Sequence, residues 1–228
     1  MAETAMLEAG DGHSLGAHFA RPSGRASGAI VVVQEIFGVN DHIQSVCDRF
    51  AAGGWVAVAP ALFDRVERST ELDYDVDGVA EGRRIKDELG LEEALMDIAA
   101  AADAAAIEVG GTGRVAVVGY CWGGSLAAAA SIYLGHMFGA AVGYYGGQVV
   151  DLLGESPQIP LLLHFGEMDA GIPLSDIESI RVAWPDVAVH VHQGAGHGFN
   201  CDQRASFHAG AADRALETTL QFVSTQLA

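Results

Sequence analysis

The stretch VVGYCWGGS (Val117–Ser125) places a cysteine between glycines, directly after strand-forming residues and directly before an alanine-rich run. Gly119, Cys121 and Gly123 give the pattern glycine–any–nucleophile–any–glycine, with Cys where Ser is commoner. In this pattern the nucleophile sits on a strained strand-to-helix turn, and bulk at either flank would obstruct the tight packing. The turn also places Cys121 at a helix N-terminus, where N–H groups and the helix dipole favour a thiolate. The stretch therefore predicts a reactive cysteine rather than a packed one in a glycine-rich turn.

Segments typical of buried strands and of helices alternate on both sides of this stretch. The predicted strands span residues 28–38, 55–60, 114–120, 138–146, 159–169 and 187–194. The predicted helices span residues 40–54, 91–109, 122–135, 174–184 and 203–227. The polar stretch 62–90 is either a long loop or a small helical insertion. The alternation predicts an α/β fold, with a mostly parallel sheet and helices on both faces, in one domain over residues 1–228.

Composition and charge exclude several classes of protein. A formal net charge of −18 argues against a nucleic-acid partner, because phosphate contacts need clustered Lys and Arg. The first residues lack the basic and apolar regions of a signal peptide, and no apolar run suits a membrane span. The three cysteines are sparse and odd in number, which is typical of reduced thiols and predicts a cytoplasmic location.

Two further residues complete a candidate catalytic set. Asp169 follows one predicted strand, and His197 lies in a glycine-rich loop that follows another. The order nucleophile, acid, histidine is that of the α/β-hydrolase fold, in which such groups gather at the carboxyl ends of the strands. Asp169 would orient the imidazole of His197, which would in turn activate Cys121.

A zinc site is the main alternative for the same residue types. Metal sites of this kind usually contain close ligand spacings, and the three candidate residues contain none. His190 and His192 lie on one face of a predicted strand and could bind a metal between them. Their pattern is more typical of ordinary strand residues on an exposed face. Cys47 lies in a predicted helix and is assigned to the core, and Cys201 could line the pocket near His197. We therefore expect neither a metal nor a cofactor.

Five motifs taken together resemble the dienelactone hydrolases (carboxymethylenebutenolidases), over nearly the whole chain. The motifs are QEIFGVN (34–40), GYCWGG (119–124), GYYGG (143–147), GEMDAGIP (166–173) and AGHGFN (195–200). The resemblance implies an α/β-hydrolase fold with Cys121, Asp169 and His197 as the triad. It also implies that the backbone N–H groups of Ile36 and Trp122 form the oxyanion hole. Trp122 directly follows the nucleophile, and general hydrolase geometry assigns one oxyanion-hole donor to that position.

The resemblance gives Glu35 a role that its position alone leaves open. Glu35 ends a predicted buried strand, where a carboxylate is costly unless it is functional, paired or solvated in a loop. In the family, the matching Glu contacts the resting thiol and is displaced by substrate, which frees the thiolate to swing toward His. Glu35 is therefore predicted to keep Cys121 unreactive until a lactone binds.

The sequence departs from the best-known members of the family at the substrate carboxylate. Those members bind the carboxylate with two arginines, one before the central helix and one four residues past the catalytic His. The second position is Cys201 here, with Arg204 three residues further on, and the first arginine is Arg83 or Arg84 only if the alignment is shifted. The candidate substrate contacts are Phe37, Arg83, Arg84 and Tyr144, and Arg204 is a further possibility.

These observations predict an enzyme that opens a small-molecule lactone or ester through an acyl-cysteine intermediate. A general carboxylesterase or thioesterase is the alternative among enzymes. A redox-sensing binding module that uses Cys121 as a sensor thiol is the alternative from another class, although a sensor does not need Asp169 and His197. The chain is expected to be a monomer or a small homo-oligomer.

Overall fold

The computed structural model describes residues 2–228 and places eight strands in one sheet. The strand order is β1-β2-β4-β3-β5-β6-β7-β8, in which β1, β2 and β4 pair antiparallel and all other neighbours pair parallel. The strands are β1 Ala2–Glu8, β2 Ser14–Ala20, β3 Ala29–Val33, β4 Val56–Pro60, β5 Val115–Tyr120, β6 Ala140–Tyr144, β7 Leu161–Gly166 and β8 Ala188–His192. The predicted mostly parallel sheet is confirmed.

Six α-helices connect and cover the strands. They are α1 Asp41–Ala52, α2 Val76–Glu88, α3 Leu91–Val109, α4 Trp122–Tyr133, α5 Leu174–Ala183 and α6 Ala209–Gln226. Short 3-10 helices span Leu62–Arg65, Thr112–Arg114 and Val149–Leu152. Among the described residues, none of the helices combines the length and hydrophobicity needed to cross a bilayer.

Two regions differ from the sequence prediction in detail. The last helix was predicted from residue 203, but α6 begins at Ala209 because the side chain of His208 caps it by accepting the N–H of Ala211. The polar stretch 62–90 contains α2, so the small helical insertion is the correct alternative. Arg65 in this stretch binds Asp97 of α3 through two hydrogen bonds of 2.8 and 2.7 Å, which fixes the stretch to the core.

Helices lie on both faces of the sheet, as predicted. Every residue of β3, β4, β5, β6 and β7 is buried, which requires cover on both sides. On one face α3 and α4 pack against each other and against β3 and β5. On the other face α1 and α6 border a common groove, and Arg49 of α1 reaches the loop before α6.

The strand order reverses next to β3, and this reversal positions the site. From β3 the chain crosses to β4 on one side, whereas β5 pairs with β3 on the other side. In open α/β sheets, ligands bind at the carboxyl ends of the strands where the order reverses in this way. Here Glu35 and Ile36 follow β3, and Cys121 follows β5.

The glycines around Cys121 are required by close backbone contacts. A Cβ added at Gly119 would lie 1.8 Å from the carbonyl oxygen of Gly123. A Cβ added at Gly123 would lie 2.4 Å from the carbonyl oxygens of Val33 and Gln34, at the end of β3. The obstructing atoms are backbone atoms, so no side-chain rotation relieves the clash.

We therefore predict that Gly119→Ala destabilises the fold by roughly 3 kcal/mol or more, because the α4 backbone must move away from β5. Gly113→Ala is the matched control, since a Cβ at Gly113 meets no atom within 4 Å, and it should change stability by less than about 0.5 kcal/mol. Urea unfolding of both variants measures the difference. Equal stability of the two variants would show that the turn tolerates a side chain.

Candidate active site

The strand ends bring the predicted catalytic residues together at one edge of the sheet. Cys121 follows β5, Asp169 follows β7 and His197 follows β8. His197 Nδ1 lies 2.7 Å from Asp169 Oδ2, and His197 Nε2 lies 3.2 Å from the Sγ atom of Cys121. The imidazole thus bridges the carboxylate and the thiol, in the arrangement that activates a nucleophile through an oriented base.

The backbone at Cys121 has the strained conformation that the sequence pattern predicts. Its φ of 55° and ψ of −118° are rare for a residue with a side chain. Its N–H donates to the carbonyl oxygen of Tyr144 at the end of β6, over 3.0 Å. This contact holds the turn in place and leaves the thiol half-buried at the start of α4.

Asp169 is held in the orientation that His197 requires. The residue is 5% exposed, and its second oxygen, Oδ1, accepts the N–H of Gly171 over 2.9 Å. The ring of Tyr145 packs edge-on against the imidazole, with ring centroids 5.1 Å apart. Both contacts restrict the imidazole to the plane that joins Asp169 and Cys121.

The surroundings of His197 favour its charged form. Burial opposes the positive charge, but the hydrogen bonds to Asp169 and Cys121 and their negative charges outweigh it and raise the pKa of His197 to about 10. An imidazolium that stays charged at neutral pH stabilises a thiolate on the neighbouring Cys121. The site therefore places a charged imidazole 3.2 Å from the Sγ atom of Cys121.

The other two cysteines lack such an environment. Cys47 is fully buried in α1, and burial raises the pKa of its thiol well above the ordinary value. Burial and the charge of Glu35 raise the pKa of Cys201 to about 11. Both remain protonated at neutral pH, which leaves Cys121 as the candidate nucleophile.

Two backbone N–H groups are available for an oxyanion. Trp122 is the first residue of α4, a position whose N–H has no acceptor within the helix. Ile36 lies in the loop after β3, and its N–H has no acceptor within residues 2–228. Both residues line the cleft that contains Cys121 and His197.

Glu35 is buried and pairs with groups other than the thiol. The residue is 0% exposed; its Oε2 accepts the phenol of Tyr74 over 2.9 Å, and its Oε1 lies 3.4 Å from Nη1 of Arg204. Burial and the charge of Glu35 raise the pKa of Tyr74, so the phenol remains a donor. The expected contact between Glu35 and the resting thiol is not present among the described residues, because Cys121 faces His197 instead.

The structure separates the candidate substrate contacts into two groups. Phe37, Arg83 and Arg204 line the cleft, which has a volume of about 290 Å³, and Lys86 lines it too. The guanidinium of Arg204 lies over the rings of Phe37 and Tyr74, at 5.8 and 5.5 Å from their centroids. The cleft is therefore basic, although the chain carries a net charge of −18.

The structure places Arg84 and Tyr144 outside the cleft. Arg84 lies on the exposed face of α2, where it pairs with Glu81 and Glu88, because the helical rotation from Arg83 turns it away from the cleft. Tyr144 is fully buried, and its hydroxyl lies 2.6 Å from Oγ1 of Thr219 in α6. The alternation of side chains along β6 points it into the core.

Sequence reasoning missed the partners that come from the polar stretch 62–90. Tyr74 and Lys86 have no local signal, since their roles depend on where this stretch folds over the sheet. A Cβ on Gly82 would lie 1.8 Å from the carbonyl oxygen of Ile36, so Gly82 allows α2 to approach the oxyanion loop. That close approach sets Arg83 beside the cleft.

Two groups of residues in the structure contain possible metal ligands. His190 is exposed, whereas His192 is buried with its Nε2 atom 3.1 Å from Nδ1 of His164, so the expectation of an exposed pair fails for His192. Among the described residues, Glu35, His42 and Cys201 place one ligand-type atom each within 4.8 Å of one another. Tyr74 and Arg204 already bind both oxygens of Glu35, so a cation would have to displace them.

Comparison with known proteins identifies the family of the chain. The model of the dienelactone hydrolase family matches residues 15–227. The carboxymethylenebutenolidase of Pseudomonas putida is 32% identical over 98% of this chain and 97% of its own length. A candidate carboxymethylenebutenolidase of Synechocystis sp. is 34% identical over 87% of this chain and 86% of its own length.

A solved structure supports the same assignment. The crystal structure of a candidate dienelactone hydrolase from Klebsiella pneumoniae superposes with a TM-score of 0.87 and 28% identity, over 98% of this chain and 99% of that chain. The fold is therefore the α/β-hydrolase fold, and the chain belongs to the dienelactone hydrolase family.

Proposed function

We propose that the protein hydrolyses carboxylic esters or lactones with Cys121 as the nucleophile, His197 as the base and acid, and Asp169 as the residue that orients the imidazole. The observation that carries this proposal is the imidazole of His197, which lies within hydrogen-bond distance of both Asp169 and Cys121. Membership of a hydrolase family supports the reaction class. The bridging imidazole supports the choice of Cys121 over Cys47 and Cys201.

In the first half of the reaction, the thiolate of Cys121 attacks the carbonyl carbon and an S–C bond forms. The carbonyl π electrons move onto oxygen, and the N–H groups of Ile36 and Trp122 bind the resulting oxyanion. One such donor is typically worth about 3 kcal/mol in the transition state. The C–O bond of the ester or lactone then breaks, and the leaving oxygen takes a proton from Nε2 of His197.

In the second half, water attacks the carbonyl carbon of the acyl-cysteine. Nε2 of His197 takes a proton from this water, and the same N–H groups bind the second oxyanion. The S–C bond then breaks, and the electron pair returns to Sγ as the thiolate. The products are a carboxylic acid and an alcohol, which remain one molecule when the substrate is a lactone.

We infer that Glu35 acts on the site through Arg204. The buried carboxylate neutralises the guanidinium in the cleft, and a substrate carboxylate that binds Arg204 competes for the same charge. Binding of an anionic substrate thus loosens Glu35, which lies two residues before Phe37 in the loop that carries Ile36. The gating role expected for Glu35 is thereby coupled to the substrate carboxylate rather than to a direct contact with the thiol.

Arg83, Lys86 and Arg204 favour a lactone or ester that carries a carboxylate. All three cationic residues line the cleft, and Arg83 is exposed and free of the ion pairs that hold Arg84. An anionic group near the reacting carbonyl gains a charge-assisted hydrogen bond from these residues. This preference separates a dienelactone-type hydrolase from a general carboxylesterase.

The first prediction tests the nucleophile. Cys121→Ala should lower kcat for p-nitrophenyl acetate by at least roughly 10³-fold, because no other group can form the acyl intermediate. Cys47→Ala is the matched control and should keep most of the activity, since Cys47 is buried in α1 away from the cleft. Circular dichroism confirms that both variants fold. Full activity of Cys121→Ala would refute Cys121 as the nucleophile.

The second prediction tests the preference for an anionic substrate. Arg83→Ala should raise KM for carboxylate-bearing lactones about tenfold, because one charge-assisted hydrogen bond to the substrate is lost. The KM for neutral esters should change by less than about twofold. Arg84→Ala is the control, because it removes the same charge one residue away but outside the cleft. Steady-state kinetics on both substrate types measure the effect. Equal changes for anionic and neutral substrates would favour the general esterase.

A further inference from the structure

The cleft at Cys121 continues into a second chamber. This chamber has a volume of about 530 Å³, compared with about 290 Å³ for the cleft. Lys86, Trp122, Ser125 and Gln148 line both spaces, so the chamber adjoins the cleft. Either volume lies near the usual range for small-molecule sites, roughly 300–1,000 Å³.

The floor of the chamber is one face of α4. Trp122, Leu126, Ala129 and Tyr133 follow each other at helical spacing, and all four line the chamber. Trp122 is fixed from beneath by Phe63, with ring centroids 5.9 Å apart. The floor is therefore apolar and rigid.

The walls come from two other elements. Leu89 and Leu91 lie at the junction of α2 and α3, and Leu152 ends the 3-10 helix after β6. Leu91 is 43% exposed and Tyr133 is 47% exposed, so both side chains keep apolar surface that a ligand in the chamber would cover. A concave surface with apolar side chains and a few polar ones is typical of a ligand site.

The stereochemistry at the reacting carbon decides which part of a substrate enters the chamber. The tetrahedral carbon carries Sγ of Cys121, the oxyanion, the leaving oxygen and the acyl arm. The leaving oxygen must face His197, which donates its proton, and His197 lines the cleft but does not line the chamber. The oxyanion is taken up by N–H groups, so the acyl arm is the substituent that is left for the chamber beyond Trp122 and Ser125.

We propose that this chamber is an acyl-binding site, and that the substrate class is esters or lactones whose acyl portion carries an extended apolar arm. This inference rests on the proposed hydrolysis at Cys121. An apolar arm would cover the exposed parts of Leu91 and Tyr133 and displace water from them, which is favourable. Lys86, Asp87 and Asp151 also line the chamber, and the first two pair over 3.2 Å; none of the three belongs to the α4 face that forms the floor.

The test begins with p-nitrophenyl esters from acetate to octanoate. Because each buried methylene is worth ~0.8 kcal/mol when fully buried, kcat/KM should rise about twofold to fourfold per methylene in this half-open chamber. A parallel series of acetate esters with longer alcohols should stay nearly flat. A flat acyl series, or a rise confined to the alcohol series, would overturn the proposal.

A variant then ties the effect to the chamber. Leu152→Trp should fill the chamber. The kcat/KM for p-nitrophenyl octanoate, divided by that for p-nitrophenyl acetate, should then fall about tenfold. Leu153→Trp is the matched control, because Leu153 is also partly buried and adjoins Leu152 but does not line the chamber. The ratio for this control should match the wild type. Thermal unfolding of both variants verifies the fold, and an unchanged ratio in Leu152→Trp would contradict the assignment.

A third measurement separates this inference from the proposed function. Alkyl chloromethyl ketones alkylate Sγ of Cys121 with loss of chloride, which requires no turnover and places the alkyl chain on the acyl side. The rate of inactivation should rise with chain length in the wild type, and much less in Leu152→Trp. Chain-length-dependent inactivation without ester hydrolysis would refute the proposed function and support the chamber. Hydrolysis of p-nitrophenyl acetate, together with an inactivation rate that does not depend on chain length, would support the proposed function and refute the acyl-binding chamber.

Discussion

The hydrogen bonds of His197 are the interaction on which the site depends. They span 2.7 Å to Asp169 and 3.2 Å to Cys121, and their three residues come from three different strand ends. Distances this short require the strand ends to be fixed within a fraction of an ångström. The fully buried strands β5 and β7 give that rigidity, because side chains on both faces prevent them from shifting.

A second constraint is the buried carboxylate of Glu35. Glu35 has no solvent contact, and a buried carboxylate without partners would be strongly destabilising. Tyr74 and Arg204 supply the compensating hydrogen bond and positive charge. The same guanidinium faces the cleft, so one residue both stabilises the fold and is available to an anionic substrate. An acidic chain can thereby keep a basic cleft.

Much of this arrangement could be predicted from the sequence, because its signals are local. The helix predicted over 91–109 coincides with α3, and the glycines around Cys121 mark the turn that the structure contains. The order of Cys121, Asp169 and His197 correctly predicts that they meet, since parallel strands end at one edge. Local patterns are informative here because each buried strand is a continuous apolar run.

The remaining features depend on contacts that are distant in the sequence. Strands β1 and β2 were not predicted: β1 is a largely exposed edge strand, and the buried residues of β2 alternate with less buried ones, so neither is a continuous buried apolar run. Tyr74 and Arg204 both bind Glu35, from 39 and 169 positions away in the sequence. No short sequence pattern encodes pairs so far apart. Arg83 and Arg84 are neighbours in a polar stretch, and only the rotation of α2 decides which of them faces the cleft.

The central claim is that His197 is held in its charged form between Asp169 and Cys121, and its titration tests this most directly. Specific ¹³C labelling of histidine, with assignment through His197→Gln, resolves the ring signal by NMR. The account predicts a titration midpoint near pH 10, with the charged ring present below that pH and lost as the pH rises through it. In Cys121→Ala the midpoint should fall, because the hydrogen bond to Sγ no longer supports the imidazolium. A wild-type midpoint near the ordinary 6.5 would contradict a His197 that is charged at neutral pH.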